Sequence, residues 1–248
     1  FFYEQKLFKS DLIFKGGTLL SKSHLNFFRL SEDLDFSVSN KYCLVRSERK
    51  KFAEVIRSSI SDLLKKIGLE EISPLKGFNE SRQYNATFRY NSVIGSSETV
   101  KFEVGFRGDL LHEPVQTNLK TLLKNPFLKN EMVSPFLVCA LSKEEAFAEK
   151  VRAALSRKSP AIRDCFDISI IAESGYDLLD NNFINLVIKK MHLDKDAKID
   201  LTLGKKKLLE NKIKDELGSV LKIGAAFSLD KTWLLLQEIY VKISEQLR

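Results

Sequence analysis

The chain has 248 residues, of which 44% are hydrophobic and 29% charged, a balance that suits a soluble globular protein and excludes a low-complexity or disordered one. No apolar run reaches the length of a membrane span and no secretory signal pattern opens the chain, so a cytoplasmic protein without a membrane partner is expected. A net charge of +7 admits an anionic partner without identifying one.

Phe1-Phe2-Tyr3 reads as the middle of an amphipathic helix with no initiator Met ahead of it, so native residues are expected to precede Phe1. Leu12–Lys15 reads as a short strand, and Gly16-Gly17 as a turn into a helix near Thr18. A second strand is predicted over about residues 33–39. The helical period is strongest over 47–67, where Phe52, Val55, Ile56, Ile60, Leu63, Leu64 and Ile67 form one stripe, with Ser47 as N-cap and Gly68 as stop. Residues 82–91 and 98–107 alternate and read as paired strands. Three of the five prolines fall in 108–135, which reads as loops with short strands, and an apolar strand follows at Phe136–Leu141.

Helical signals dominate from Ser142 onward. SKEE, residues 142–145, is a capping box, Ser159-Pro160 opens a further helix, and others are predicted near 180–192, 204–217 and 228–247. Cys43, Cys139 and Cys165 are too widely spaced for a disulfide framework or a zinc site. The expected fold is therefore α+β, with a mixed sheet and flanking helices over 1–141 and a helical domain over 142–248 that completes the active cleft.

The chemistry gathers at three places. On the strand near 33–39, alternation puts Asp33, Asp35 and Ser37 on one face and Leu34, Phe36 and Val38 on the other. Two carboxylates so close repel unless a cation sits between them, and a divalent metal is the ordinary one. The Gly-Gly turn ahead of them suits a phosphate, and phosphate cradle with metal ligands is the equipment of phosphoryl or nucleotidyl transfer. In VKFEVGF, residues 100–106, Glu103 stands opposite Phe102 and Val104. It is a third acid for the site if the two strands are neighbours, and a solvated strand carboxylate otherwise. Further on, Lys150 lies on the apolar stripe of its helix with Phe147, Val151 and Ala154, where it must snorkel, pair with a carboxylate or line a polar cleft. In RDCFDI, residues 163–168, Arg163 and Asp167 are spaced for a helical salt bridge and Asp164 sits among apolar neighbours.

FKGGTLLSK (14–22), RLSEDLDF (29–36) and EKVRAALSRKSPAIRDCFDI (149–168) together resemble the AbiEii/AbiGii toxin family of nucleotidyltransferases, within the polymerase-β-like superfamily. The resemblance implies that Gly16, Gly17 and Thr18 hold nucleotide phosphates, with Ser31, Arg29 and Arg163 as further nucleotide-binding candidates. Arg29 is equally readable as a surface charge. Asp33 and Asp35 stand at the family's metal-binding pair, with Glu103 as the candidate third ligand, for Mg²⁺ or Mn²⁺. Lys150 falls on the family lysine that contacts the triphosphate, and Asp164 and Asp167 fall on its later acidic motif.

The implied function is metal-dependent transfer of a nucleotide from an NTP to RNA, with the tRNA 3′ end as a candidate acceptor, by the toxin of a toxin–antitoxin or phage-defence pair. Lys205-Lys206-Lys207 with Lys212 and Lys214 offer a phosphate-binding surface or a solvated helix face. The alternatives are transfer to a protein hydroxyl, or a nucleic-acid-binding module that has lost catalysis. An intact Asp33-x-Asp35 and Lys150 argue against the last.

Overall fold

The computed structural model describes residues 11–31, 33–39, 45–92, 95–106, 110–194, 197–218, 220–221 and 226–247. The helical reading of Phe1–Tyr3 and Cys43 fall outside these residues. The chain divides into a sheet unit, up to Ser23 and from Ser31 to Leu141, and a helical unit, His24–Leu30 with the residues from Ser142 onward.

Seven strands build the sheet: β1 (Leu12–Lys15), β2 (Leu34–Val38), β3 (Glu70–Phe78), β4 (Gln83–Asn91), β5 (Ser97–Gly105), β6 (Val115–Leu119) and β7 (Phe136–Ala140). Their order is β3-β4-β5-β2-β1-β7-β6. The β2–β5 and β1–β7 pairs are parallel and the rest antiparallel, so the sheet is mixed. Leu12, Ile13 and Phe14 of β1 are all buried, the continuous apolar run of a strand covered on both faces. The same double cover buries Ser37, so the alternation expected along β2 fails at its inner end. Phe14, Phe36 and Phe102 form an aromatic row across three strands, with centroids 5.3 and 5.0 Å apart. Each such ring contributes roughly 1.5–3 kcal/mol by its burial.

Helix α1 (Gly16–Leu19) follows β1 directly and runs into a π-turn, Leu20–His24. Helix α2 (Arg46–Lys66) packs against β3 through a face that includes Ala53, Ile56, Ile60, Leu63 and Leu64. Val55 and Ile67 lie at the margins of the predicted stripe and are half exposed. Val45, not Ser47, occupies the N-cap, without a side-chain bond, while Gly68 at φ +79° ends the helix as expected. Strand β3 has no clear signal in the sequence. It carries Pro74 and Gly77 and two register shifts, features tolerated because it is an edge strand.

The helical unit comprises α3 (Lys143–Ser156), α4 (Ile162–Glu173), α5 (Asn181–His192), α6 (Leu203–Lys212, continued by a π-turn over Ile213–Leu217) and α7 (Leu229–Gln246). Ser142 caps α3 by accepting from the Glu145 amide at 3.2 Å. Helix α4 begins at Ile162, two residues after the proline expected to open it. Residues 24–30 were expected with the strands. They join the helices because Phe27 packs on Phe166 of α4 and the Leu30 amide donates to the Val220 carbonyl.

Lys205 departs from the expected basic surface. It is buried, and its ammonium donates to the Ala154 and Leu155 carbonyls at 2.7 and 3.0 Å, closing the C-terminal end of α3. Burial pushes its pKa below the ordinary lysine value. Lys206 and Lys212 pair with Asp230 and Glu216, which leaves the patch thinner than its lysine count suggests.

Candidate active site

In the sheet unit the predicted residues meet at the C-terminal end of β1. Lys15 on β1 pairs in register with Asp35 on the central strand β2, and Asp35 pairs in register with Glu103 on β5. The two acid-bearing strands are thus neighbours. Gly16, immediately after Lys15, has φ +80°, a backbone state that side chains resist. A Cβ built there would lie 2.1 Å from Asp35 Oδ2, so the Asp35 carboxylate rests directly on the Gly-Gly turn. Glycine is required at position 16 on both counts.

Asp33 stands one residue before β2 begins. Its carbonyl accepts from Thr18 Oγ1 at 2.8 Å, and Thr18 Oγ1 lies 2.9 Å from the Ser31 hydroxyl. Thr18 is buried. Thr18 and Ser31, expected to face nucleotide phosphates, direct their hydroxyls into the loop and tie the Gly-Gly turn to the acidic segment. Gly16 and Gly17 offer backbone groups at the start of α1, which is too short for a large macrodipole, so its N–H groups are what a phosphate would meet.

Magnesium is commonly held by one or two carboxylates, with waters and substrate phosphates completing the shell. Asp33 and Asp35 fit that requirement in kind and number, beside a turn whose missing Cβ makes room for the Asp35 carboxylate. Among the described residues no three His, Cys, Asp or Glu side chains gather as a metal-holding group. Glu103, the in-register neighbour of Asp35 on β5, projects to the same face of the sheet.

The sequence reading missed Lys15. A buried apolar run ending in a lysine immediately before Gly-Gly is the signal that marks it. Its Nζ lies 3.7 Å from the Cβ position of Gly105.

In the helical unit the later motif forms a buried ion cluster. Asp167 is fully buried, and Arg29 grips it with two parallel bonds, Nε to Oδ1 at 2.8 Å and Nη2 to Oδ2 at 3.1 Å. Arg29, 2% exposed, is therefore no surface charge. Lys150 Nζ bridges Asp167 Oδ2 at 2.9 Å and Asp164 Oδ1 at 3.0 Å. Arg157 approaches Asp164 Oδ2 at 3.0 Å as an ion pair without the alignment of a hydrogen bond. Asp167 is paired with Arg29 and Lys150 rather than with Arg163, which takes no part in the cluster.

Three cations against two carboxylates leave this cluster at net +1. Burial alone would lower the Lys150 pKa, but Asp167 and Asp164 outweigh it and hold the ammonium above its ordinary value. Burial alone would raise Asp164, yet Lys150 and Arg157 keep its carboxyl below the usual range. Arg157 was absent from the predicted set; it stands just past the end of α3, as its C-cap in an extended conformation, where no helical spacing marks it. Cys165 is buried beside these groups, and that burial pushes its thiol up to about 12.

Among the described residues no helix is long and apolar enough to cross a membrane. No curated protein matches the chain by sequence. Among solved structures, MenT4, a nucleotidyltransferase toxin from Mycobacterium tuberculosis H37Rv, is similar in fold. Its TM-score is 0.60 at 18% identity, over 98% of this chain and 79% of that one. The family described as nucleotidyl transferase AbiEii toxin, type IV toxin–antitoxin system, matches residues 1–229. With that match spanning most of its length, the chain belongs to the AbiEii toxin family of nucleotidyltransferases.

Proposed function

We propose that the chain transfers a nucleotide from an NTP to an RNA acceptor in a reaction that needs Mg²⁺ or Mn²⁺, with the tRNA 3′ end as the first acceptor to try, and that an antitoxin is encoded nearby. The observation that carries the reading is the seating of Asp35 on Gly16. It brings a carboxylate and the main chain of the Gly16-Gly17 turn side by side, an arrangement that suits a metal-bound triphosphate.

Asp33 and Asp35 would hold the metal, which supplies charge neutralisation and in-line alignment at the α-phosphate when bound. Gly16 and Gly17 present main-chain donors to the phosphates, and Thr18 and Ser31 fix the turn that presents them. Lys150 keeps its charge at physiological pH and is suited to a triphosphate oxygen, with Asp164 and Asp167 holding it in place and Arg29 anchoring Asp167. Glu103 neighbours Asp35 and is the candidate third ligand. The exposed Lys207 and Lys214 are the members of the basic helix best placed for RNA phosphates.

Incubating the protein with Mg²⁺, each labelled NTP in turn and total RNA tests the reading. Label entering RNA, lost on chelation and in Asp35→Asn, is the expected result. Label on protein instead would move the acceptor to a side-chain hydroxyl. No transfer with any NTP, together with salt-sensitive RNA binding, would leave the binding module.

A further inference from the structure

The sheet face that carries Asp35 and Glu103 continues outward onto the β3–β4 hairpin. Register sets Asn85 of β4 beside Glu103 and Lys76 of β3 beside Asn85, and nearer the turn it pairs Gln83 with Phe78. These side chains share one face, while Leu75, Tyr84 and Ala86 point to the other and are buried. Phe78 is 50% exposed, and Gln83 and Asn85 are half-buried.

The hairpin turn is strained and held in place. Asn79, Glu80 and Ser81 have φ of 50°, 55° and 63°, three successive residues with side chains in the left-handed region. Arg49 of α2 fixes them by donating to the Ser81 and Glu80 carbonyls, both at 3.1 Å. Strain of this kind persists only where the surroundings impose it, and it gathers at ligand sites. From the turn a line of amides runs down β4: Asn79 Nδ2 donates to Gln83 Oε1 at 3.3 Å, and Gln83 Nε2 donates to Asn85 Oδ1 at 3.4 Å. The Nδ2 donors of Asn85, beside Glu103, bond no described residue.

An in-line displacement puts the attacking hydroxyl on the side of the α-phosphate opposite the departing pyrophosphate. With the phosphates on the Gly16-Gly17 turn, which lies on the β1 side of Asp35, the acceptor enters from the β5–β4 side. Its hydroxyl oxygen bonds to the α-phosphorus, the bond to pyrophosphate breaks, and the hydroxyl proton passes to a carboxylate of the row. Asn85 stands two strands from Asp35, about 10 Å, within the reach of one nucleoside whose hydroxyl lies at the acids.

We propose, resting on the nucleotidyl-transfer reading, that this hairpin face is the acceptor subsite and takes the unpaired 3′-terminal nucleoside of an RNA. Phe78 stacks on the base and Asn85, aligned by Gln83, donates to its edge, the way unstacked bases are commonly held. Lys76 and Lys101, both exposed on this face, meet the acceptor's phosphates.

Fluorescence anisotropy of a 5′-labelled single-stranded RNA octamer with the full chain tests the assignment. Phe78→Leu keeps an apolar side chain at the hairpin but loses the ring, and should weaken octamer binding about tenfold, while Phe78→Tyr retains it. Asn85→Ala should weaken it several-fold. The affinity for NTP with Mg²⁺, read by calorimetry, should be unchanged in all three. Octamer binding equal to wild type in both Phe78→Leu and Asn85→Ala overturns the proposal, as does a wild type that binds the octamer no better than about 1 mM. A loss of NTP affinity in its place overturns it too, because the incoming nucleotide would then occupy this face. Octamer binding that depends on Phe78 in a protein that transfers no nucleotide would sink the transfer reading and leave the RNA subsite standing.

Discussion

Two groups of carboxylates carry most of the charge chemistry in this chain, and they are built in opposite ways. Asp33, Asp35 and Glu103 are half-buried at the central strands of the sheet unit, arranged by strand register and by one glycine turn. Asp164 and Asp167 lie in the helical unit, 3% and 0% exposed, with Arg29, Lys150 and Arg157 closing around them. The first group is only partly covered. The second spends its carboxylates on cations of the chain itself and leaves a small positive surplus. Acidic motif residues thus differ in setting: the sheet group is half-buried beside a glycine turn, and the helical pair is buried around a lysine.

Removing a sealed partner should have the largest effect. Asp167→Ala leaves Arg29 and most of Lys150 buried without their main counter-ion, and should lower the unfolding free energy by about 3–5 kcal/mol in urea titrations. A cost below about 1 kcal/mol would mean that the cluster is not sealed. Asp35→Asn should do the reverse: NTP labelling falls on the order of 10²–10³-fold, while stability stays within about 0.5 kcal/mol or rises as carboxylate repulsion is relieved. Large unfolding in this variant would place Asp35 with the structural group and erase the contrast.

Lys150→Ala sharpens the comparison because it touches both roles. It should cost about 2–4 kcal/mol of transition-state stabilisation in labelling assays, with RNA affinity little changed in filter binding. Gly16→Ala should cost roughly 1–3 kcal/mol from its positive φ, and should weaken Mn²⁺ binding in calorimetry because the new Cβ displaces the Asp35 carboxylate.

The smallest effect is the acid limb of stability. Asp164 has its pKa lowered in the folded state, so its contribution is fully present above the unfolded value of about 4 and disappears as pH falls through the lowered one. Asp164→Asn should flatten that limb in thermal midpoints measured across the acid range. A limb left unchanged would show that other carboxylates set it.

Much of this was legible beforehand because it is local. The Gly-Gly turn, the β4–β5 pair, the Ser142 cap and the C-terminal helices follow from periodicity and from residues within a few positions of one another. Lys150 was read as inward-facing with three outcomes open, and pairing with carboxylates is the one the fold takes. The readings that failed depended on distant chain. Strand β3 hid behind Pro74 and Gly77, which only an edge position permits, and edge positions are assigned by the whole sheet. Ser47 was passed over as a cap because α2 begins one residue earlier.

What the sequence determined by itself was the set of elements and the chemical types at their ends: glycines at a turn, acids beside it, a lysine facing inward. Tertiary structure alone decided the pairings. Glu103 stands beside Asp35 because β5 pairs with β2 across 68 residues of chain, and Arg29 reaches Asp167 across 138. It also decided that Lys205 caps a helix instead of meeting solvent. Periodicity says which way a side chain points on its own element. Which side chain it meets depends on how elements pack to bury their apolar faces, and that packing is a property of the chain as a whole.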